Sequence, residues 1–132
     1  MKARNFRIGN IVSYDGRIFE IDSIGEEFPT LNTTEFGVGV VGWNDVEPIR
    51  LTEDWLLKMG FKAHSDSSVC RGWGIGENPM TFDFLLALTW MKKDDGTLAE
   101  CFYKNGYFVI RYVHEVQNLF FAITRRELDV LP

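Results

Sequence analysis

The chain has 132 residues, a formal net charge of −5 and 45% apolar residues, the profile of a globular protein able to bury a real core. No stretch reaches membrane-spanning length, and the N-terminus MKARNFRIGN has no apolar run behind its basic residues, so a cytoplasmic protein without membrane or secretory segments is expected. Two cysteines, Cys70 and Cys101, fit neither a disulfide framework nor a metal spacing, and the acidic balance argues against a general nucleic-acid binder.

Residues 7–24, RIGNIVSYDGRIFEIDSI, predict a β-hairpin turning at Asp15-Gly16, with Val12, Tyr14, Phe19 and Ile21 on one face. The register pairs Tyr14 with Arg17, Val12 with Phe19 and Asn10 with Ile21. Residues 25–36 hold Gly25, Pro29 and the polar run Asn32-Thr33-Thr34, and read as a loop. GVGVVGW, 37–43, reads as a curved third strand, and Asp45 to Ile49 as a short edge segment ended by Pro48. Several short strands in fifty residues suggest a small SH3-like antiparallel barrel or half-barrel.

Leu51 to Phe61, LTEDWLLKMGF, specifies a helix over 52–59. Thr52 is a cap, Glu53 and Asp54 suit the positive helix end, and Gly60 supplies a left-handed stop onto which Phe61 folds. Trp55, Leu56, Leu57 and Met59 leave only Asp54 and Lys58 as a wet side, so burial between other elements is expected. Residues 62–81 are polar and glycine-rich, with one short strand expected near Val69 to Trp73. FDFLLALTWM, 82–91, fits helix or strand by its apolar run. Turn signals at Asp94-Asp95-Gly96 and Asn105-Gly106 favour strand and a three-stranded meander. That register sets Phe102 opposite Val109, Cys101 opposite Ile110 and Glu100 opposite Arg111 as a cross-strand ion pair. Residues 112–123 form a second helix with an apolar stripe of Tyr112, Val113, Val116, Leu119, Phe120 and Ile123. Thr124 with Glu127 suggests a capping box for one more short turn, and Val130-Leu131 a last strand or packed end.

The expected fold is therefore α+β in a single domain, residues 1–132. Its parts are a small barrel over 1–50, then a short central helix and a C-terminal β-meander packed with one helix over 51–132.

The phrases RIGNIVSYDGRIFEIDSI, DVEPIRLTEDWLLKMGF and YVHEVQNLFFAITRREL together resemble a family of small proteins from bacteriophages and prophages of gut bacteria. The resemblance covers both ends and the centre and leaves out 62–100. Arg125-Arg126 stands where the family pattern has Gly-Glu. The resemblance implies a phage-linked accessory protein in the cytoplasm and carries over no reaction, cofactor or catalytic residue.

Nothing in the residues forms a catalytic constellation. His64 or His114 with Cys70 or Cys101 gives a nucleophile and base only in principle, and a core cysteine is the ordinary reading for Cys101. Gly72, Gly74 and Gly76 lack the lysine and helix start of a phosphate cradle. Carboxylate pairs such as Glu26-Glu27 and Asp94-Asp95 read as solvated turns. A non-enzymatic binding module with a protein partner is the leading function, with no cofactor and no metal. The alternatives are an enzyme with an unfamiliar site and a nucleic-acid-binding small barrel. Residues 18–54 hold nine acids against Arg50, a balance of −8 that leaves +3 on the rest, so a complex made through them weakens with salt. The candidate contact face is His114, Gln117, Asn118 and Phe121, aligned at i, i+3, i+4, i+7 opposite the apolar stripe. Either Phe121 anchors a partner there, or another segment, such as 62–81, covers it.

Overall fold

Asp15 and Gly16 both adopt positive φ, 51° and 73°, the geometry that lets a two-residue turn match the twist of its strands. They join β1 (Ile11–Tyr14) to β2 (Arg17–Ile24) in the expected register, Tyr14 to Arg17 and Val12 to Phe19. Ile21 N–H donates to the Asn10 carbonyl at 2.9 Å, which continues that register. The computed structural model describes residues 6–24, 29–33, 37–40, 45–76, 85–103 and 108–128. Side chains within 22–44 lie outside that description, and with them much of the acidic segment.

The chain is α+β and divides into two units. The first comprises residues 1–50 with Tyr112–Asn118, the second Leu51–Arg111 with Leu119–Pro132. In the first, β3 (Pro29–Thr33), β4 (Gly37–Val40) and β5 (Val46–Pro48) complete an antiparallel sheet in the order β4-β3-β2-β1-β5. The loop expected over 25–36 is thus corrected for 29–33, the rest lying outside the described residues: Thr30, Leu31, Asn32 and Thr33 pair with β4, because a ladder on both sides satisfies a backbone whose side chains favour turns. β5 is an edge strand ending at Pro48, as expected, and the sheet stays open instead of closing into a barrel among the described residues. Phe6, Val12, Ile21 and Val46 form its buried cluster, with Tyr14 and Phe19 packed on it.

In the second unit, α1 (Glu53–Lys58) is built as its residues require. Thr52 Oγ1 accepts from Trp55 N–H at 3.3 Å. Gly60 turns at φ +92°, Phe61 N–H reaches the Leu56 carbonyl at 2.9 Å, and Gly60 N–H reaches that of Leu57 at 3.0 Å: a Schellman ending. Leu56 and Met59 are buried but Leu57 is 54% exposed, so the helix lies on the surface with one apolar side inward, not enclosed as expected. Lys58 sits over the Trp55 ring, 4.7 Å from its centroid. Gly60→Val is expected to cost more than about 1 kcal/mol through the left-handed φ alone, since a Cβ there meets only Ile75 Cδ1 at an ordinary 3.5 Å. Thr52→Ala should cost about 1 kcal/mol. Denaturant midpoints of both variants check the assignment.

The second sheet runs β10-β9-β8-β7-β6, all antiparallel: β6 (Lys62–Asp66), β7 (Cys70–Ile75), β8 (Leu86–Lys92), β9 (Leu98–Tyr103) and β10 (Phe108–Ile110). One strand near Val69 was expected where two stand; β6 escapes sequence reading because it is a mostly exposed edge strand with no apolar alternation. Phe102 opposes Val109 and Cys101 opposes Ile110 as expected, but β10 stops at Ile110, before the Glu100–Arg111 pair. The turn at Asn105-Gly106 and the residues Val130-Leu131 lie outside the described residues. Trp73, Leu86, Leu88, Trp90, Cys101 and Ile110 are its buried apolar residues. Glu53 ties α1 to this sheet, accepting from Arg71 Nη1 at 2.7 and 2.9 Å and from Trp73 Nε1 at 3.0 Å.

Candidate functional site

α2 (Val113–Thr124) carries the candidate face. Val113, Val116 and Phe120 of the expected apolar stripe are buried, whereas Ile123 is exposed. On the other face His114 and Gln117 are buried too, 3% and 2% exposed, which corrects the reading of these two as surface contacts. The segment from Phe6 to Ile11 packs against His114, Gln117 and Asn118. Gln117 Oε1 accepts from Ile11 N–H at 2.8 Å and its Nε2 donates to the Gly9 carbonyl at 3.1 Å. Asn118 Oδ1 accepts from Arg7 Nε at 3.0 Å and from Asn10 Nδ2 at 2.8 Å. The amides thus serve backbone and side chains at the start of β1, where a buried hairpin entry needs polar partners. Phe6 lies 4.7 Å from the His114 ring and Tyr112 stacks on it at 5.9 Å. Burial lowers the His114 pKa, with Glu115 opposing, and Nδ1 has no hydrogen-bond partner among the described residues. Phe121 is half-buried and has interactions of its own.

The other sequence candidates sit in ordinary places. Cys101 is buried in β9 and burial pushes its thiol up to about 12, the opposite of what a nucleophile needs. Cys70 Sγ lies 3.8 Å from Ser67 Oγ. Gly72 and Gly74 belong to β7, not to a loop, so they frame no phosphate. A Cβ on Gly72 would come within 2.7 Å of His64 Cε1, so the glycine makes room for that ring. Asp66 accepts from Lys92 Nζ and from Arg71 Nη2, and these two cations hold its carboxyl below the usual range, Lys92 chiefly. Among the described residues no three His, Cys, Asp or Glu side chains converge as metal ligands would.

A cleft of about 480 Å³ opens in the second unit where α1, β7 and α2 end and β8 begins. Met59, Phe120 and Leu128, all buried, and half-buried Ile75 and Leu85 make its floor. Lys58, Arg126 and Glu127 stand exposed on its rim. Its edges are fixed by backbone bonds, Leu85 N–H to the Ile75 carbonyl at 2.8 Å and the Schellman ending of α1. Arg125 ends α2 at φ +62°, its N–H donating to the Phe121 carbonyl at 2.7 Å. Thr124 Oγ1 donates to the Phe120 carbonyl at 2.8 Å and accepts from Arg126 N–H at 3.1 Å. The second helical turn expected from Thr124 and Glu127 is not formed; its cap serves the exit from α2 instead. Sequence reasoning missed this cleft, because its lining comes from the ends of four elements and shares no periodicity. Arg125→Gly is expected to raise stability by about 0.5–1 kcal/mol, the left-handed penalty less the added freedom of the unfolded chain, readable as a higher thermal midpoint.

No family model, no curated protein and no solved structure matches this chain.

Proposed function

We propose that this protein is a non-enzymatic binding module, a phage-linked cytoplasmic accessory protein, and that the cleft receives part of a protein partner. The lining of the cleft carries this reading. An apolar floor under a charged rim suits recognition, since apolar area supplies affinity and the few polar groups orient the guest. The described lining offers one carboxylate, Glu127, and no histidine, cysteine, serine or threonine, so it holds a guest without a nucleophile–base pair to attack it. The order β4-β3-β2-β1-β5, with β5 returning to β1, supports an SH3-like half-barrel for the first unit.

The test is capture from host lysate on the full chain, in parallel with the Lys58→Glu/Arg126→Glu variant, followed by cross-linking mass spectrometry. A partner cross-linked to the end of α2 and lost from the variant is the expected result. Equal capture by both proteins, or cross-links confined elsewhere, would overturn the assignment of the cleft.

A further inference from the structure

The rim and the floor together say more about the guest. We infer that the cleft recognises a short peptide segment in which one large apolar side chain adjoins a carboxylate. This rests on the binding reading above and names the chemistry of the partner.

The floor of Met59, Ile75, Leu85, Phe120 and Leu128 has no polar side chain, so what enters it is apolar. A volume of about 480 Å³ lies towards the small end of ligand sites, enough for a side chain and its flanking backbone and too little for a docked helix. Among the described residues the rim carries two cations and one acid, Glu127, which has an interaction of its own; the resulting net charge of one complements a single carboxylate. Of the two cations, Lys58 already shares its ammonium with the Trp55 ring. Arg126 is the better anchor: its guanidinium forms a planar fork that fits a carboxylate with two parallel hydrogen bonds.

The backbone beside it is arranged accordingly. Arg125 occupies the left-handed region, where glycine would relieve the strain, and strain of this kind gathers at ligand sites. The bonds from Arg125 N–H to Phe121 and from Arg126 N–H to Thr124 hold the turn, so Arg126 meets the rim from a fixed base. Glu127, next in the chain, repels a second negative charge. The site therefore favours one acid beside one apolar residue over a run of phosphates or an acidic tract.

The test is fluorescence polarisation of the full chain with labelled peptides carrying Glu-Leu, Gln-Leu or Glu-Ala in a Gly-Ser frame, on wild type and on Arg126→Gln. Arg126 is exposed, so the variant is expected to fold, and circular dichroism verifies it. The Glu-Leu peptide should bind about tenfold more tightly than either of the others, the worth of one charge-assisted pair or one buried side chain. Arg126→Gln should bring Glu-Leu down to the level of Gln-Leu and leave Gln-Leu itself unchanged. Equal binding of Glu-Leu and Gln-Leu, or equal weakening of both by Arg126→Gln, would overturn the inference. So would octanoate binding more tightly than the peptide, since a free apolar carboxylate would then be the ligand. A partner cross-linked in the cleft alongside equal peptide affinities would retain the binding reading and remove only this chemistry.

Discussion

Gln117→Ala should destabilise the protein by about 3–5 kcal/mol, the largest effect expected of any single polar substitution here. Gln117 is 2% exposed and both ends of its amide are engaged, accepting from Ile11 and donating to Gly9. Truncation leaves a part-buried N–H and a part-buried carbonyl without partners, at about 1–3 kcal/mol each, and opens a cavity besides. Gln117→Met separates the two costs: it keeps the volume, so only the hydrogen-bonding loss of about 2–4 kcal/mol remains. Asn118→Ala should cost less, because Asn118 and its partner Arg7 are only half-buried and water can reach both. Urea midpoints of the three variants decide it. A loss below 1 kcal/mol for Gln117→Ala would mean that the segment from Phe6 to Ile11 is not held by this residue.

Acidification is the second large effect. His114 titrates near 6.5 in the unfolded chain, whereas burial holds it lower in the folded protein, partly offset by Glu115. Between those two values the unfolded chain takes up a proton that the folded chain refuses. Stability is therefore complete above about pH 6.5 and falls as pH drops below it, until the folded value is passed. The geometry gives the reason: the ring lies beside Phe6 and Tyr112, with Nδ1 unpartnered among the described residues. His114→Phe keeps the ring contacts and removes both the orphaned nitrogen and the proton. Its midpoint should lie close to that of the wild type at pH 7.5 and above it at pH 5.5. Parallel curves over that range would show that His114 does not set the slope. Asp66 contributes on the acid side of this window, because a carboxyl held low loses its stabilising pairs only as pH falls through its own titration.

Where local chemistry decides an element, the residues alone are enough to read it. Asp15-Gly16 sets a turn and a register, and Thr52, Glu53 and Gly60 bound a helix with both caps in place. The strand at Leu86–Lys92 follows from the turns around it, although its apolar run is ambiguous. β3 is hidden because Pro29 and Asn32 read as breakers, and only its neighbours on either side make a strand of it. The burial of His114 and Gln117 is hidden for a related reason. Spacing places His114, Gln117, Asn118 and Phe121 in line, but what packs on the first three comes from residues more than a hundred positions away, beyond any periodicity. Two amides on one helix face, Gln117 and Asn118, were the available hint, since exposed helix faces seldom choose them. The cleft shows still less in the sequence, being a property of where four segments stop.

The division of the chain has a bearing on its synthesis. Residues 1–50 leave the ribosome before the groups that complete them, Gln117 and Asn118, which follow nearly seventy residues later. Until then Gly9 and Ile11 lack the partners they have in the finished protein, and Phe6 lacks the His114 ring. The early sheet must wait as a nascent, incompletely satisfied hairpin set while the second sheet is translated, and it locks only when the start of α2 emerges. A ribosome stalled after Arg111 should therefore display an N-terminal segment open to protease, and one stalled well beyond Asn118, with α2 clear of the exit tunnel, should not.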